Sequence, residues 1–117
     1  MCASDGTMSQ PREGTYPAEE RITLAEAPGL RVRQLRLAAG QCVPWHYHIE
    51  TKDTFFCMKG PMWVKTRDPD AVLVLQPGDM AEVPAGRAHY AAGVEHRACE
   101  FIVIQGVGNY DYVPLAD

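Results

Sequence analysis

Residues 40–60 of the chain read GQCVPWHYHIETKDTFFCMKG. His46 and His48 are two positions apart, and such residues point to the same face of a β-strand. Two imidazoles side by side form half of a metal site, and Asp53 adds a carboxylate oxygen nearby. A third histidine, His89, follows the turn at residues 84–86. A histidine pair in a strand is also compatible with ordinary exposed residues, so the spacing alone leaves both interpretations open.

The rest of the chain is a series of short apolar runs separated by turn residues. Roughly seven to nine such runs, about 8–12 residues apart, predict an all-β sandwich or barrel. The predicted strands cover residues 31–37, 55–58, 63–66, 71–75, 80–83, 87–92, 98–105 and 110–113. Nothing is predicted to be helical beyond about one turn, and residues 18–24 are the best helix candidate. We interpret residues 1–18 as a flexible arm and residues 19–117 as one barrel domain.

Composition and charge exclude several classes of protein. Hydrophobic residues make up 46%, the net charge is −4, and basic residues do not cluster, which argues against binding to nucleic acid. No apolar run approaches the roughly 20 residues that span a membrane. The polar N-terminus does not resemble a secretory signal, so we expect a cytoplasmic protein. The four cysteines lack the C-x-x-C spacing of zinc sites, and we interpret them as reduced thiols, with Cys57 and Cys99 in the core.

Two segments resemble the two sequence motifs of the cupin superfamily. Residues 40–60 fit the first motif, G-x5-H-x-H-x(3,4)-E-x6-G, at every spacing, with Asp53 in place of the glutamate. Residues 78–93, GDMAEVPAGRAHYAAG, fit the second motif, G-x5-P-x-G-x2-H-x3-N, with Gly93 in place of the asparagine. Residues 61–77 form an intermotif gap that is typical of small bacterial cupins. The chain is therefore identified as resembling a small single-domain cupin.

The resemblance implies a double-stranded β-helix, or jelly-roll barrel, with metal ligands inside it. The implied ligands are His46, His48 and His89, and the family's acidic ligand corresponds to Asp53. Because aspartate is one methylene shorter than glutamate, Asp53 binds directly, binds through a water, or leaves a site of three histidines. Glu50 is an alternative acidic ligand. Such donors suit one divalent ion of Fe, Mn, Ni, Co, Cu or Zn.

Strand alternation also predicts the lining of a substrate pocket. Counting by two from Asp53 gives Phe55 and Cys57, and counting from His89 gives Arg87 and Ala91. One of Phe101 or Ile102 should also line the pocket, and Phe101 is the candidate taken. Arg87, like Arg33 and Arg36, is either a cation for a carboxylate substrate or a solvated residue.

The resemblance favours two functions above a structural role without metal. The first is an enzyme acting on a small molecule, as a metal-dependent dioxygenase or an isomerase-like enzyme. The second is a non-catalytic module that binds or senses a small molecule or metal. We also expect a homodimer that covers apolar strand faces, with the arm or the early strand at the interface. The candidate apolar residues that a partner would cover are Trp45, Trp63, Val64 and Tyr112.

Overall fold

The computed structural model describes residues 16–116, and almost all of its regular structure is β-strand. The strands are β1 (Glu20–Ala27), β2 (Leu30–Leu37), β3 (Val43–Tyr47), β4 (Lys52–Lys59), β5 (Met62–Thr66), β6 (Ala71–Leu75), β7 (Met80–Val83), β8 (His89–Gly93), β9 (Cys99–Gly106) and β10 (Val113–Pro114). Within this part of the chain, the one helical segment is a short 3-10 turn at Val94–His96. The all-β prediction is confirmed. The helix candidate at residues 18–24 is wrong, because Glu20–Ala27 forms β1, which pairs with β2 on both sides of a register shift between Thr23 and Ala25.

The strands form two five-stranded sheets that face each other. One sheet has the order β1-β2-β9-β4-β7, and the other has the order β10-β3-β8-β5-β6. From β2 onward the chain passes repeatedly from one sheet to the other, which is the winding of a double-stranded β-helix. The predicted jelly-roll fold is confirmed, and each sheet turns one face toward a shared interior.

The core between the sheets follows from strand alternation. Leu35 on β2 pairs with Phe101 on β9, which in turn pairs with Cys57 on β4. Paired residues lie on the same face of a sheet, and all three of these side chains are at most 1% exposed. Val32 pairs with Ile104 on the opposite face, so β2 is two-sided and has no bulge in its pairing with β9.

Gly93, where the family motif has asparagine, is required by a close approach of the backbone. A Cβ atom at this position would lie 1.9 Å from the carbonyl oxygen of Arg97. The departure from the motif therefore reflects the tight path of the chain from β8 into β9.

The cysteines and the predicted location can also be compared with the structure. Cys57 and Cys99 are free and buried, as predicted. Cys42 is disulfide-bonded, so the prediction of reduced thiols is wrong at that residue; sequence spacing does not report proximity in the fold. No helix within residues 16–116 is long and apolar enough to cross a membrane. The cytoplasmic location stays a prediction.

The predicted arm, residues 1–18, falls mostly outside the described residues, and its boundary stays a prediction. Of its described end, Tyr16 is 7% exposed and belongs to the hydrophobic core.

Candidate metal centre

Four side chains meet inside the barrel: His46, His48, Asp53 and His89. Their ligand atoms all lie within 4.8 Å of one another, and each residue is at most 2% exposed. His46 lies on β3 and pairs directly with His89 on β8 of the same sheet. Asp53 lies on β4 of the opposite sheet. Both sheets therefore contribute to the cluster, and its assembly depends on how they face each other.

The three histidines are oriented in the same way. The Nδ1 atoms of His46, His48 and His89 lie 2.7, 2.5 and 2.9 Å from the backbone carbonyls of Pro44, Asp111 and Arg87, respectively. A carbonyl oxygen can only accept a hydrogen bond, so each Nδ1 carries the proton and donates it. In the neutral imidazole this leaves the Nε2 lone pair available to the cluster. Metal-binding histidines are held by this same outer hydrogen bond.

Asp53 brings a negative charge to the Nε2 atoms. Its Oδ2 atom lies 3.1 Å from Nε2 of His48 and 2.9 Å from Nε2 of His89. Two lone-pair acceptors at this distance repel, unless Nε2 carries a second proton or a metal ion lies between them. The other oxygen, Oδ1, is buried without a hydrogen-bond partner. A buried carboxylate oxygen with no donor is available to a cation.

Glu50, the alternative acidic ligand, lies outside the cluster. It is exposed, and its Oε1 atom accepts a hydrogen bond from the backbone N–H of Asn109 at 3.1 Å. The acidic group that the structure brings to the histidines is Asp53.

Burial and mutual charge set the protonation of the cluster. Burial, followed by the nearby charge of His89, lowers the pKa of His46 to about 3. Burial alone would also lower the pKa of His48, but its hydrogen bond to Asp53 and the charge of that carboxylate raise it overall. Burial alone would raise the pKa of Asp53, but the hydrogen bonds with His48 and His89 bring it well below its usual range. Near neutral pH the cluster thus offers an ionised carboxylate and a neutral His46, the forms that bind metal.

A cavity of about 10 Å³ lies beside His46 and Asp53. Of the predicted pocket residues, Phe55 and Phe101 line it. Cys57 is fully buried in the core and is not among the lining residues. Arg87 lines a separate surface cleft with Tyr47 and Arg67. The cavity is about the size of one water molecule, so it admits an ion or a water but no organic substrate in this conformation.

Aromatic residues that were not predicted from the sequence pack against the rings of His46 and His48. Tyr112 stacks on His46 with ring centroids 4.5 Å apart, and Tyr110 lies 5.2 Å from the ring of His48. Tyr16 and Tyr112 are themselves in ring contact at 6.0 Å. The spacing of Tyr110 and Tyr112, two apart like the histidines, was a signal that both could face one side. Gln105, opposite Asp53 on β9, also lines the cavity.

The donor set fits a divalent transition metal. Imidazole nitrogens with one carboxylate suit several first-row ions, and the buried Oδ1 of Asp53 lacks any other partner. The cluster could therefore hold a metal ion, and its chemistry does not distinguish among the candidate ions.

Comparison with known proteins agrees with this architecture. A family model described as "Cupin domain" matches residues 33–105. No curated protein matches the chain.

Solved structures share the fold at low sequence identity. A conserved double-stranded β-helix protein from Klebsiella pneumoniae is 21% identical with a TM-score of 0.70, covering 97% of this chain and 100% of its own. A cupin-2 domain protein from Shewanella frigidimarina is 22% identical with a TM-score of 0.63, covering 79% and 84%. A cupin-like protein from Thermotoga maritima is 17% identical with a TM-score of 0.69, covering 80% and 74%. With the family model spanning most of the barrel and the histidine cluster inside it, this chain belongs to the cupin family.

Proposed function

We propose that the chain binds one divalent transition-metal ion through Nε2 of His46, His48 and His89, with Asp53 as a direct or water-mediated ligand. The observation that supports this most is the common orientation of the three imidazoles. Each Nδ1 donates to a backbone carbonyl, so Nε2 is the ring nitrogen that each histidine turns to the buried cluster, and a metal would displace the proton that Asp53 holds on Nε2 of His48. Asp53 supplies the charge that balances a cation there.

Elemental analysis of protein purified without added metal tests this proposal. We expect close to one equivalent of a transition metal per chain, and a higher Tm after reloading of the metal-free protein. His46→Ala should lose the metal, whereas His96→Ala should keep it. His96 is the matched control because it lies in the 3-10 turn and is hydrogen-bonded to Tyr90 at 2.6 Å. No uptake of Fe, Mn, Ni, Co, Cu or Zn, together with an unchanged Tm, would contradict the proposal.

We further propose that the protein is a small-molecule enzyme, either a metal-dependent dioxygenase or an isomerase-like enzyme. A bound ion with open coordination positions supplies O2 activation or polarisation of a carbonyl. The chain's own contribution is to hold the ligands and to cover them with aromatic rings, of which Tyr112 stacks on His46. Oxygen consumption by the Fe(II)-loaded protein with a panel of diketones, catechols and hydroxy acids tests the dioxygenase branch, and chromatography of the same mixtures tests isomerisation.

A non-catalytic binding or sensing module is the second candidate, and the small cavity supports it. About 10 Å³ beside the cluster admits an ion but no organic substrate unless the aromatic side chains move. Stabilisation by metal without turnover of any compound in the panel would favour this function over the enzyme.

We also propose a homodimer, with β1 at its interface in place of the early strand that was predicted there, β2, which lies between β1 and β9. β1 is the edge strand of its sheet, and its Ile22 and Leu24 are 39% and 48% exposed. Of the residues predicted to need covering, Val64 is already fully buried, and Trp45 and Tyr112 are partly buried against the cores. Light scattering tests this, and a monomer at every concentration would contradict it.

A further inference from the structure

Tyr110 separates the metal cavity from a larger pocket at the surface. This outer pocket has a volume of about 120 Å³ and is lined by Arg31, Gln105 and Tyr110, with Glu26 as its acidic residue. Gln105 and Tyr110 also line the small cavity beside His46. Tyr110 is 37% exposed, whereas Tyr16 is 7% exposed. We call the outer pocket together with the small cavity the mouth. Tyr110, the least buried aromatic side chain of this mouth, thus lies between an open pocket and the candidate metal centre.

A polar row crosses the inner face of the sheet toward the metal cluster. Arg31 on β2 pairs with Gln105 on β9, and Gln105 pairs with Asp53 on β4. The Arg31 guanidinium donates to the side-chain oxygen of Gln105 from Nε and Nη2, at 3.3 and 3.2 Å. It also lies 3.8 Å from the ring centroid of Tyr110. The Arg31 guanidinium therefore lies in the outer pocket, on the same row of paired residues as Asp53.

Arg33 adds a second cation on the same inner face. It pairs with Val103, a core residue, so its side chain starts on the interior side of the sheet. Its Nε is buried without a hydrogen-bond partner, and no ion pair among residues 16–116 involves it. Arg36, on the outer face of the same strand, is by contrast paired with Glu19 and Glu20 at 2.9 and 3.0 Å. Arg33 is half-buried, but its Nε is a buried donor without an acceptor, and an anion bound there would supply one.

Arg33 lines neither the outer pocket nor the small cavity, but its charge acts on Tyr16, which does line the cavity. The charge of Arg33 opposes the rise that burial causes in the pKa of the Tyr16 hydroxyl. The hydroxyl is therefore protonated near neutral pH and can donate a hydrogen bond to an anion. Strands about 4.8 Å apart with a rise of about 3.4 Å per residue place the Cα atoms of Arg33 and Asp53 roughly 12 Å apart. An arginine side chain and a ligand of a few carbon atoms fill that span together.

We propose that this mouth is the substrate site and that Arg31 and Arg33 select a small organic anion carrying a carboxylate. The carboxylate lies against the two guanidinium groups, and the other end of the molecule reaches the metal centre after Tyr110 moves aside. Arginine suits this role because its planar donor group matches a carboxylate in two directions. The proposal rests on the proposed metal-dependent function and specifies its substrate class.

The test is a calorimetric titration of Zn(II)-loaded protein with succinate, and with succinamide as its neutral counterpart. The double variant Arg31→Gln/Arg33→Gln is compared with Arg36→Gln/Arg97→Gln, which removes the same charge outside the mouth. Arg97 is exposed and paired with Glu95 at 3.2 Å, so it serves the control well. We expect the mouth variant to bind succinate at least tenfold more weakly, the control to stay within twofold of wild type, and succinamide to bind no variant measurably.

Zinc affinity is measured first, and it should be the same in all three proteins. A failure to take up zinc would count against the metal proposal, and the arginines would then be tested by the rise in Tm that succinate gives the metal-free protein. Equal succinate binding by the mouth variant and wild type would overturn the inference, as would an equal loss in the control. Inorganic sulfate competing as well as succinate does would also overturn the choice of an organic anion. Loss of fold is monitored by Tm. The Arg33 change breaks no hydrogen bond of Nε, whereas the Arg31 change removes two hydrogen bonds to Gln105, so Tm should fall slightly while the variant stays folded.

Discussion

Replacement of Asp53 by asparagine should stabilise the metal-free protein while it weakens metal binding. Oδ2 of Asp53 lies 3.1 and 2.9 Å from Nε2 of His48 and His89, whose Nδ1 atoms already donate to carbonyls. In the neutral form of both imidazoles, which alkaline pH favours, these contacts join acceptors to acceptors. The amide of asparagine can instead donate two N–H groups toward the two Nε2 atoms, and it removes a buried charge.

The size of the effect follows from those two contacts. At about 0.5–1.5 kcal/mol for each hydrogen bond, the metal-free Asp53→Asn variant should gain about 1–3 kcal/mol of unfolding free energy. For a domain of this size the corresponding rise in Tm is roughly 4–15 °C. The metal-loaded variant should show the opposite change relative to loaded wild type, since a charged ligand is lost.

Differential scanning calorimetry at pH 9, with and without zinc, measures both changes. The control is Asp79→Asn, since Asp79 is exposed and accepts a hydrogen bond from the Gln76 backbone N–H in a turn. If Asp53→Asn lowers the Tm of the metal-free protein at pH 9, the cluster is a permanent imidazolium–carboxylate pair. Protons on the Nε2 atoms would then account for the short contacts to Oδ2, and the contacts would no longer support a metal ion between them.

Three further predictions concern the same interior. Asp53→Ala should weaken metal binding less than His46→Ala does, as calorimetric Kd values would show; the reverse order would make the carboxylate the dominant ligand. The metal-free protein should be most stable near pH ~6.5. As the pH falls below that value, His46 is protonated in the unfolded chain but not in the folded one, where its pKa is about 3, so stability is lost. As the pH rises above it, His48 loses the proton that its raised pKa retains in the folded state, and the stability from that proton is lost as well. Urea unfolding across pH measures this, and a higher stability at pH 9 would contradict it. Phe101→Ala should cost about 3–5 kcal/mol in urea unfolding, since Phe101 is fully buried, whereas Ile104→Ala, at a residue 39% exposed, should cost far less.

The strand pattern was largely predictable because it is local. Turn residues and apolar runs located β2 and β4 through β9 to within a few residues. β1 escaped prediction because all of its residues are exposed, so no alternation of buried and exposed positions marks it. The segment forms a strand because it pairs with β2, and that pairing is not visible in its own sequence.

The cluster that could hold a metal was predictable for the same reason. The i, i+2 spacing of His46 and His48 is a property of one short segment, and the motif spacing added His89 and Asp53. Arg87 shows the limit of counting by two: it lies in the turn before β8, where strand alternation does not hold, and it lines a different cleft.

The sequence by itself determined that this is a small all-β chain with three histidines and a carboxylate suited to a metal. Only the tertiary structure decided how they are held and what surrounds them. His48 donates to the carbonyl of Asp111, which is 63 positions away, and Tyr16 and Tyr112 close the space above His46 from opposite ends of the described chain. The row from Arg31 through Gln105 to Asp53 likewise exists only through pairing of β2, β9 and β4. Side-chain alternation is a local property of the backbone, but the register between distant strands depends on packing of the whole barrel.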